Sequence, residues 1–267
     1  MNSTTAEEQS PRWAEIAYEA IAPVYDDFTH HHDYDLWIGN LWPKIEAHGI
    51  AGDRMLDIAC GTGKSFLPML AKGWRVTGCD VSPAMLEIAR SKVSDEVSLS
   101  VADMRELPRF GEFDLVWCLD DAMNYLLSRE ELERTLAGMR ANLAPNGLLV
   151  FDVNTITAHR TFFAEEVVVE REGRRLIWRG RASPDQQQGE IAEASFEVEP
   201  LPGSDAAPIA PEMHRERHFP EAVVREAMIA VGLEFLDVWG HEDDAVPQQP
   251  LEENRHSKAV YISRPAR

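Results

Sequence analysis

Residues 55–66 read MLDIACGTGKSF, an apolar run that leads into a glycine-bearing turn and then into a helical pattern. Gly61 and Gly63 allow the backbone of such a turn to approach a ligand closely. The first N–H groups of the following helix have no partner inside the helix, so they favour a negatively charged or carboxylate group. The segment therefore predicts a ligand site at the point where a buried strand ends.

The sequence around this segment alternates between short apolar runs and helical patterns, which is typical of parallel strands joined by crossover helices. The predicted strands are Arg54 to Ala59, Arg75 to Cys79, Val97 to Ala102, Phe113 to Leu119 and Leu148 to Val153. Ser82 before Pro83, and Ser128 three residues before Glu131, predict helix starts. The segment 144–147 (APNG) predicts a turn into the fifth strand. The pattern therefore predicts a doubly wound α/β fold.

Residues 161–219 break the alternation and predict an antiparallel β insertion. Its strands are predicted at Val167 to Glu170, Arg174 to Arg181, Glu190 to Glu199 and Met213 to Phe219, with a mobile loop over Pro200 to Pro211. After the insertion, the predicted elements are a helix from Pro220 to Val231 and strands at Leu233 to Trp239 and Lys258 to Ser263.

The N-terminal part predicts two helices. The first covers Pro11 to Phe28, with Trp13, Ile16, Ala17, Ala20 and Ile21 at helical spacing, and the second carries Leu36, Trp37, Leu41 and Ile45. We therefore expect three parts: a helical cap over the ligand site (1–50), an α/β core (51–160 and 220–267), and the insertion (161–219) as a substrate lid or oligomer contact.

The charge balance excludes two kinds of partner. With 46 acidic and 26 basic residues, the formal net charge is -20, and its field repels phosphate backbones and anionic lipid headgroups. We expect neither a nucleic acid nor a membrane partner. The N-terminus has no secretory pattern, and no apolar run approaches the roughly 18 residues of a membrane span. These features predict a cytoplasmic protein.

Cysteines and histidines predict neither disulfides nor a metal site. Cys60, Cys79 and Cys118 are odd in number and lack CxxC spacing, which favours buried, reduced thiols. The run His30 to His32 is the only histidine cluster, and consecutive side chains on a helix point in different directions.

Two nucleotide-binding motifs are incomplete in the glycine turn. A phosphate-binding Walker A loop needs glycine where Ile58 stands, and the dinucleotide fingerprint needs a third glycine where Phe66 stands. The second mismatch disfavours a nicotinamide-dependent oxidoreductase, which stays open as an alternative. A cofactor-binding module without catalytic activity is a third interpretation.

The same turn resembles the first motif of class I S-adenosylmethionine-dependent methyltransferases, with Asp57, Ala59, Gly61 and Gly63 in its positions. In VTGCDVS, Asp80 stands where the family's acidic residue holds the ribose hydroxyls. The resemblance places further residues around adenine, where the amino group is recognised at Asp103. The full cofactor-binding set that it implies is Tyr25, Trp37, Asp57, Ala59, Gly61, Gly63, Asp80, Val81, Met85, Asp103, Met104 and Leu119.

The resemblance extends over most of the chain and is greatest to the small-molecule branch that contains amino-sugar N,N-dimethyltransferases and glycine N-methyltransferase-like enzymes. Tyr25-Asp26 and the antiparallel insertion are similar to features of that branch. Tyr125 departs from it, because the amino-sugar enzymes have histidine there. The resemblance implies a mostly parallel, seven-stranded Rossmann-like sheet with the insertion as a lid, S-adenosylmethionine as cofactor, and a small-molecule substrate.

Transfer of an activated methyl group chiefly requires alignment of the acceptor and exclusion of water. We expect Tyr25, Asp121, Asn124 and Tyr125 to act in catalysis, the last three because they follow the carboxyl end of the fourth strand. Tyr25 and Trp37 could offer aromatic faces to the sulfonium. His214, Arg215 and Arg217 are substrate candidates on the last insertion strand. The predicted acceptor is an amine or, alternatively, a hydroxyl, and the predicted assembly is a monomer or homodimer.

Overall fold

The computed structural model describes residues 13–242 and 245–266. Its helices are α1 (Trp13–Phe28), α2 (Tyr34–Glu46), α3 (Leu67–Ala71), α4 (Pro83–Ser91), α5 (Arg129–Ala141), α6 (Ile156–Arg160) and α7 (Glu221–Ala230). The strands are β1 (Arg54–Ile58), β2 (Arg75–Asp80), β3 (Ser98–Val101), β4 (Phe113–Cys118), β5 (Leu143–Asn154), β6 (Glu166–Arg171), β7 (Arg174–Gly180), β8 (Ile191–Pro200), β9 (Ile209–Arg217), β10 (Leu233–His241) and β11 (Lys258–Pro265). Short 3-10 helices cover Met104–Glu106, Ala122–Tyr125 and Phe162–Ala164.

The main sheet has seven strands in the order β10-β11-β5-β4-β1-β2-β3. Strands β1 to β5 pair in parallel, and β11 runs antiparallel between β5 and β10. The predicted α/β fold with a mostly parallel seven-stranded sheet is confirmed. The strand order reverses between β1 and β4, and a crevice for a ligand forms outside the carboxyl ends of strands at such a point.

Both faces of the main sheet are covered by helices, which explains why its strands read as continuous apolar runs. Leu136 of α5 and Met228 of α7 pack in the core on one face, and Leu41 of α2 and Leu86 of α4 pack in the core on the other. Both predicted serine caps are present: the Ser82 hydroxyl accepts from the Met85 N–H at 3.1 Å, and the Ser128 hydroxyl accepts from the Glu131 N–H at 3.2 Å.

The insertion forms a separate antiparallel sheet of four strands in the order β6-β7-β8-β9. Apolar side chains on this sheet, among them Trp178 and Phe196, share a core with Ile21 and Val24 of α1. The N-terminal helix and the insertion therefore pack together. Met85 of α4 belongs to the same core, so this unit meets the main sheet near the carboxyl end of β2.

Two predicted boundaries are wrong. The predicted turn at residues 144–147 lies within β5, as an irregularity at which the pairing with β4 jumps from Leu143 to Leu148. Gly147 fits there because a Cβ would lie 2.5 Å from the carbonyl oxygen of Phe113. The last insertion strand begins at Ile209, inside the predicted loop. Pro211 is tolerated in it because β9 is an edge strand of its sheet. Residues 11 and 12 of the predicted first helix lie outside the described residues.

Candidate active site

A cavity opens at the carboxyl ends of β1 to β4, under helix α1, with an empty volume of about 1100 Å³ including its open mouth. Eleven of the predicted site residues line it: Tyr25, Ala59, Gly61, Asp80, Val81, Met85, Asp103, Met104, Leu119, Tyr125 and Arg215. The others lie behind its wall: Trp37, Asp57, Gly63, Asp121, Asn124, His214 and Arg217.

The turn after β1 presents its backbone to the cavity. Ala59 and Gly61 have φ values of 55° and 52°, in the left-handed region that favours glycine. A Cβ at Gly61 would meet no atom within 4 Å, so the open side of this residue faces free space. Gly63 differs, because a Cβ there would lie 2.6 Å from the ring of Phe66. Gly63 thus lets the turn pack against Phe66, whereas Gly61 leaves open space beside the turn.

Asp80, at the end of β2, holds two loops together. Its carboxylate accepts from the Gly61 N–H at 2.8 Å and from the Ser82 N–H at 2.9 Å. Burial raises the pKa of Asp80, and the backbone N–H groups oppose that shift. The Ser82 hydroxyl in turn donates to Glu19 of α1 at 2.7 Å. One carboxylate in the cavity wall therefore fixes the glycine turn relative to the start of α4.

Two predicted residues, Asp57 and Trp37, support the site from behind. Asp57 is fully buried and accepts from the Ser65 hydroxyl at 2.5 Å, and burial raises the pKa of Asp57 to about 7. The Trp37 ring lies between those of Tyr34 and His241, with centroids 5.8 and 5.5 Å away.

Asn124 is buried and joins β5 to β9. Its side chain accepts from the Asn154 N–H at 2.8 Å and donates to the carbonyl of Arg217 at 2.9 Å. The Arg217 guanidinium itself donates to the carbonyl of Leu127 at 3.0 Å. These contacts fix the insertion against the loop after β4.

Asp103 lines the cavity as the N-cap of a 3-10 helix, and Arg105 engages its carboxylate through two side-chain nitrogens at 3.0 and 2.7 Å. Arg215, on β9, lies at another part of the wall, with its guanidinium 4.3 Å from the centroid of the Trp13 ring.

A chain of hydrogen bonds links two tyrosines of the cavity wall to a buried histidine. The hydroxyl groups of Tyr18 and Tyr125 are 3.1 Å apart, and the Tyr125 hydroxyl is 2.7 Å from Nδ1 of His214. His214 is 2% exposed, and burial lowers its pKa to about 4, so its ring is neutral at pH 7. The Tyr25 ring contacts that of Tyr18, with centroids 6.0 Å apart.

Beside the tyrosines, three carboxylates share one ammonium group. Lys258 Nζ lies 2.7 Å from Asp121, 3.0 Å from Asp152 and 3.2 Å from Asp120, and the Tyr34 hydroxyl donates to Asp120 at 2.6 Å. Burial alone would raise the pKa of Asp120, yet Lys258 and the donors around it hold that pKa well below its usual range. Asp121 differs: burial raises its pKa to about 6, against the opposing effect of Lys258.

Sequence reasoning missed Tyr18, Tyr34, Lys64 and Asp120 on the cavity wall, and Lys258 behind it. One signal existed for Lys258. It begins a strand that runs antiparallel to β5, and such a strand starts at the edge where parallel strands end. For Tyr18 the helical pattern gave no signal, because it does not specify which helix face meets the cavity.

The three cysteines are free and buried, as predicted. In the described part of the chain, no three His, Cys, Asp or Glu side chains are grouped so that they could hold a metal ion. None of the described helices has the length and apolarity needed to cross a membrane.

The strand order and the cavity define a Rossmann-like α/β protein with its ligand crevice at the carboxyl edge of the sheet. A methyltransferase domain model matches residues 55–147. The Bacillus subtilis (strain 168) protein YqeM, which carries a provisional methyltransferase name, is 32% identical over 241 residues, covering 89% of this chain and 94% of its own. The chain belongs to the S-adenosylmethionine-dependent methyltransferases, enzymes that use S-adenosylmethionine as cofactor.

Two further comparisons agree with this family. The dTDP-4-amino-2,3,4,6-tetradeoxy-D-glucose N,N-dimethyltransferase of Saccharopolyspora spinosa is 35% identical over 148 residues, which cover 55% of this chain and 57% of that enzyme. The crystal structure of an S-adenosylmethionine-dependent methyltransferase from Clostridium acetobutylicum ATCC 824 superposes with a TM-score of 0.76 at 20% identity, covering 94% of this chain and 99% of that one. The latter likeness shows the shared fold.

Proposed function

We propose that the enzyme transfers the methyl group of S-adenosylmethionine to an amine nitrogen of a small-molecule metabolite. The observation that carries this proposal is Asp120 in the cavity wall, an ionised carboxylate beside the phenol ring of Tyr34. An amine arrives largely as an ammonium ion, which a carboxylate and aromatic faces attract. Three carboxylates pair with the single charge of Lys258, and Lys64 adds one more positive charge at a greater distance, so this end of the cavity stays acidic after the ion pairs form.

The residues around the glycine turn fit the cofactor. Gly61 leaves open space beside its backbone, and the Asp80 carboxylate lies in the same wall. We assign the amino-acid end of the cofactor to the Gly61 turn, its ribose hydroxyls to Asp80, and its adenine to the wall formed by Val81, Met85 and Met104. S-adenosylmethionine, when bound, supplies a methyl group activated by a positively charged sulfur.

The acceptor must lose a proton before its nitrogen can act as a nucleophile. We assign this proton to Asp121, which lies behind the wall next to Asp120 and would take the proton through a water molecule. Its pKa of about 6 lets it exchange protons close to neutral pH. Tyr125, held by His214, orients the acceptor through its phenol oxygen. Tyr25 lines the same cavity. Asn124 holds β9 in position against the loop after β4 and does not touch the acceptor.

The insertion and the N-terminal helices enclose this end of the cavity. Trp13, Tyr18 and Tyr25 of α1 line it, and Arg215 of β9 lies beside Trp13. We therefore interpret residues 161–219 as a substrate lid and, of the predicted segment 1–50, the described residues 13–50 as a cap on the core formed by the described residues of 51–160 and 220–267. The relative that methylates an amino sugar nitrogen supports an amine acceptor, as does the acidic wall.

Labelled methyl transfer tests the acceptor. The purified enzyme is incubated with methyl-labelled S-adenosylmethionine and pairs of small compounds that differ only in bearing an amino or a hydroxyl group at one carbon, including amino sugars. We expect label on the amines alone, and Asp120→Asn should raise KM for the amine. Label only on the hydroxyl compounds would show that the acceptor atom is oxygen and not nitrogen.

The same preparation tests the cofactor. S-adenosylhomocysteine should raise the melting temperature and a nicotinamide dinucleotide should not, since a ligand that binds only the folded state stabilises it. The reverse result would favour an oxidoreductase. Stabilisation without label on any compound would favour the cofactor-binding module without activity.

A further inference from the structure

Lys64 directly follows the glycine turn and lines the cavity. Its ammonium group donates to the carbonyl oxygen of Thr29 at 2.6 Å and to the Thr29 hydroxyl at 3.0 Å. An ammonium group has three N–H donors, so these two bonds leave one donor for a further partner. The Tyr34 ring, 5.2 Å from the nitrogen, covers another side of it.

The charge of Lys64 is not neutralised by a direct ion pair. In the described part of the chain, no carboxylate oxygen lies within the 4.0 Å of Lys64 Nζ that defines such a pair. By contrast, the neighbouring Lys92 pairs with Asp26, and Lys258 pairs with three aspartates. Asp26 and Asp120 act on Lys64 only from a greater distance.

A partly buried cation without an ion pair is unfavourable, and an anion that enters the cavity would relieve this cost. Burial lowers the pKa of Lys64, which is the expected sign of such a cost. Lys64 lies on the same turn as Gly61, whose open side faces free space, so an anion bound beside Gly61 would share the cavity with this ammonium.

We propose that Lys64 binds the carboxylate of the amino-acid part of S-adenosylmethionine, and that it sets the preference of the site for the carboxylated cofactor. The proposal rests on the placement of the amino-acid end at the Gly61 turn. It gives this end of the cofactor a charged hydrogen-bond donor. A charge-assisted hydrogen bond of this kind is about twice as strong as a neutral one.

Isothermal titration calorimetry with two ligands tests this contact without any turnover. S-adenosylhomocysteine carries the carboxylate, and its decarboxylated analogue lacks only that group. For Lys64→Met, we expect the affinity for S-adenosylhomocysteine to fall by about 10-fold or more, and that for the analogue to change by less than about twofold. Lys64→Arg should retain most of the affinity.

Lys72→Met is the control, because Lys72 is exposed and does not line the cavity. Any effect of this variant should be equal for the two ligands. Should Lys64→Met fail to fold, as judged by circular dichroism, Lys64→Gln takes its place.

Three results would overturn the proposal. An equal loss for both ligands would show that Lys64 acts through Thr29 on the fold of the site, and no loss would show that it does not touch the ligand. Equal binding of both ligands to the unaltered enzyme would show that the carboxylate is not recognised. Failure of the unaltered enzyme to bind either ligand would count against the placement of the cofactor instead.

Discussion

Replacing Lys258 by methionine should destabilise the fold strongly. The ammonium lies 2.7 to 3.2 Å from three carboxylates, and its side chain is only 15% exposed. Removal of one partner from a buried ion pair costs about 3–5 kcal/mol, because it leaves uncompensated buried charge. At about 2–4 °C per kcal/mol for a chain of roughly this size, the melting temperature should fall by about 6–20 °C at pH 8.

The penalty should depend on pH. With Lys258 present, the pKa of Asp120 is held below its usual range in the folded protein. The stability that this carboxylate contributes is therefore complete above its unfolded pKa of about 3.9. It is lost only as the pH falls through the lower folded pKa. Without the ammonium, burial raises the pKa of Asp120, and its ionisation then costs stability as the pH rises above about 4. The loss should therefore be smaller at pH 5 than at pH 8, by about 1.4 kcal/mol for each unit by which the pKa of Asp120 in the variant exceeds 5.

Urea denaturation at both pH values measures this difference. Lys72→Met is the control, since Lys72 is exposed, and it should change the free energy of unfolding by less than about 0.5 kcal/mol at either pH. Equal losses at pH 5 and pH 8 for Lys258→Met would refute the electrostatic reasoning, and a loss no larger than that of the control would show that the carboxylates are not balanced by Lys258.

Four further substitutions address the cavity wall and its glycine turn. Asp80→Asn should weaken S-adenosylhomocysteine binding by about 1–3 kcal/mol in calorimetry, through loss of a charged acceptor; unchanged affinity would remove Asp80 from the site. Both Gly61→Ala and Gly63→Ala place a side chain at positive φ. Gly61→Ala should chiefly reduce cofactor affinity. Gly63→Ala should lower the melting temperature more, because its Cβ meets the Phe66 ring. The opposite ranking would show that the open side of Gly61 is not where the ligand lies. Ala59→Gly should raise the free energy of unfolding by up to about 1 kcal/mol, since φ at Ala59 is 55°; a loss would mean that the methyl group packs favourably.

The sequence predicted the main sheet because each buried parallel strand is apolar on both faces and is followed by a recognisable turn. The predicted strand boundaries were wrong where local proline and glycine signals competed with strand pairing. The proline and glycine of residues 144–147 indicate a turn, but β5 continues through them as an irregular strand. Likewise, the proline-rich segment before Met213 hid the start of β9, since an edge strand can contain proline.

The glycine-turn side of the cavity was easier to predict than the tyrosine side. Asp80 and Gly61 belong to short motifs in which strand, turn and helix are contiguous, so sequence order alone places them. The tyrosine side depends on contacts over long separations, such as that between Tyr18 and Tyr125. On α1, the helical spacing included Ile16, which is 56% exposed, whereas Tyr18 faces the cavity. Spacing defines a helix, but packing decides its rotation.

The position of β11 in the main sheet has a consequence for synthesis on the ribosome. Lys258 follows Asp152 by 106 residues, so at about 5–20 residues per second it emerges about 5–20 s later. During that interval β5 lacks the neighbour with which it pairs on that side, and the aspartates after β4 and on β5 have not met their counter-ion. The carboxylates beside the cavity therefore gain their counter-ion late in synthesis, when the strand carrying Lys258 enters between two strands that were made before it.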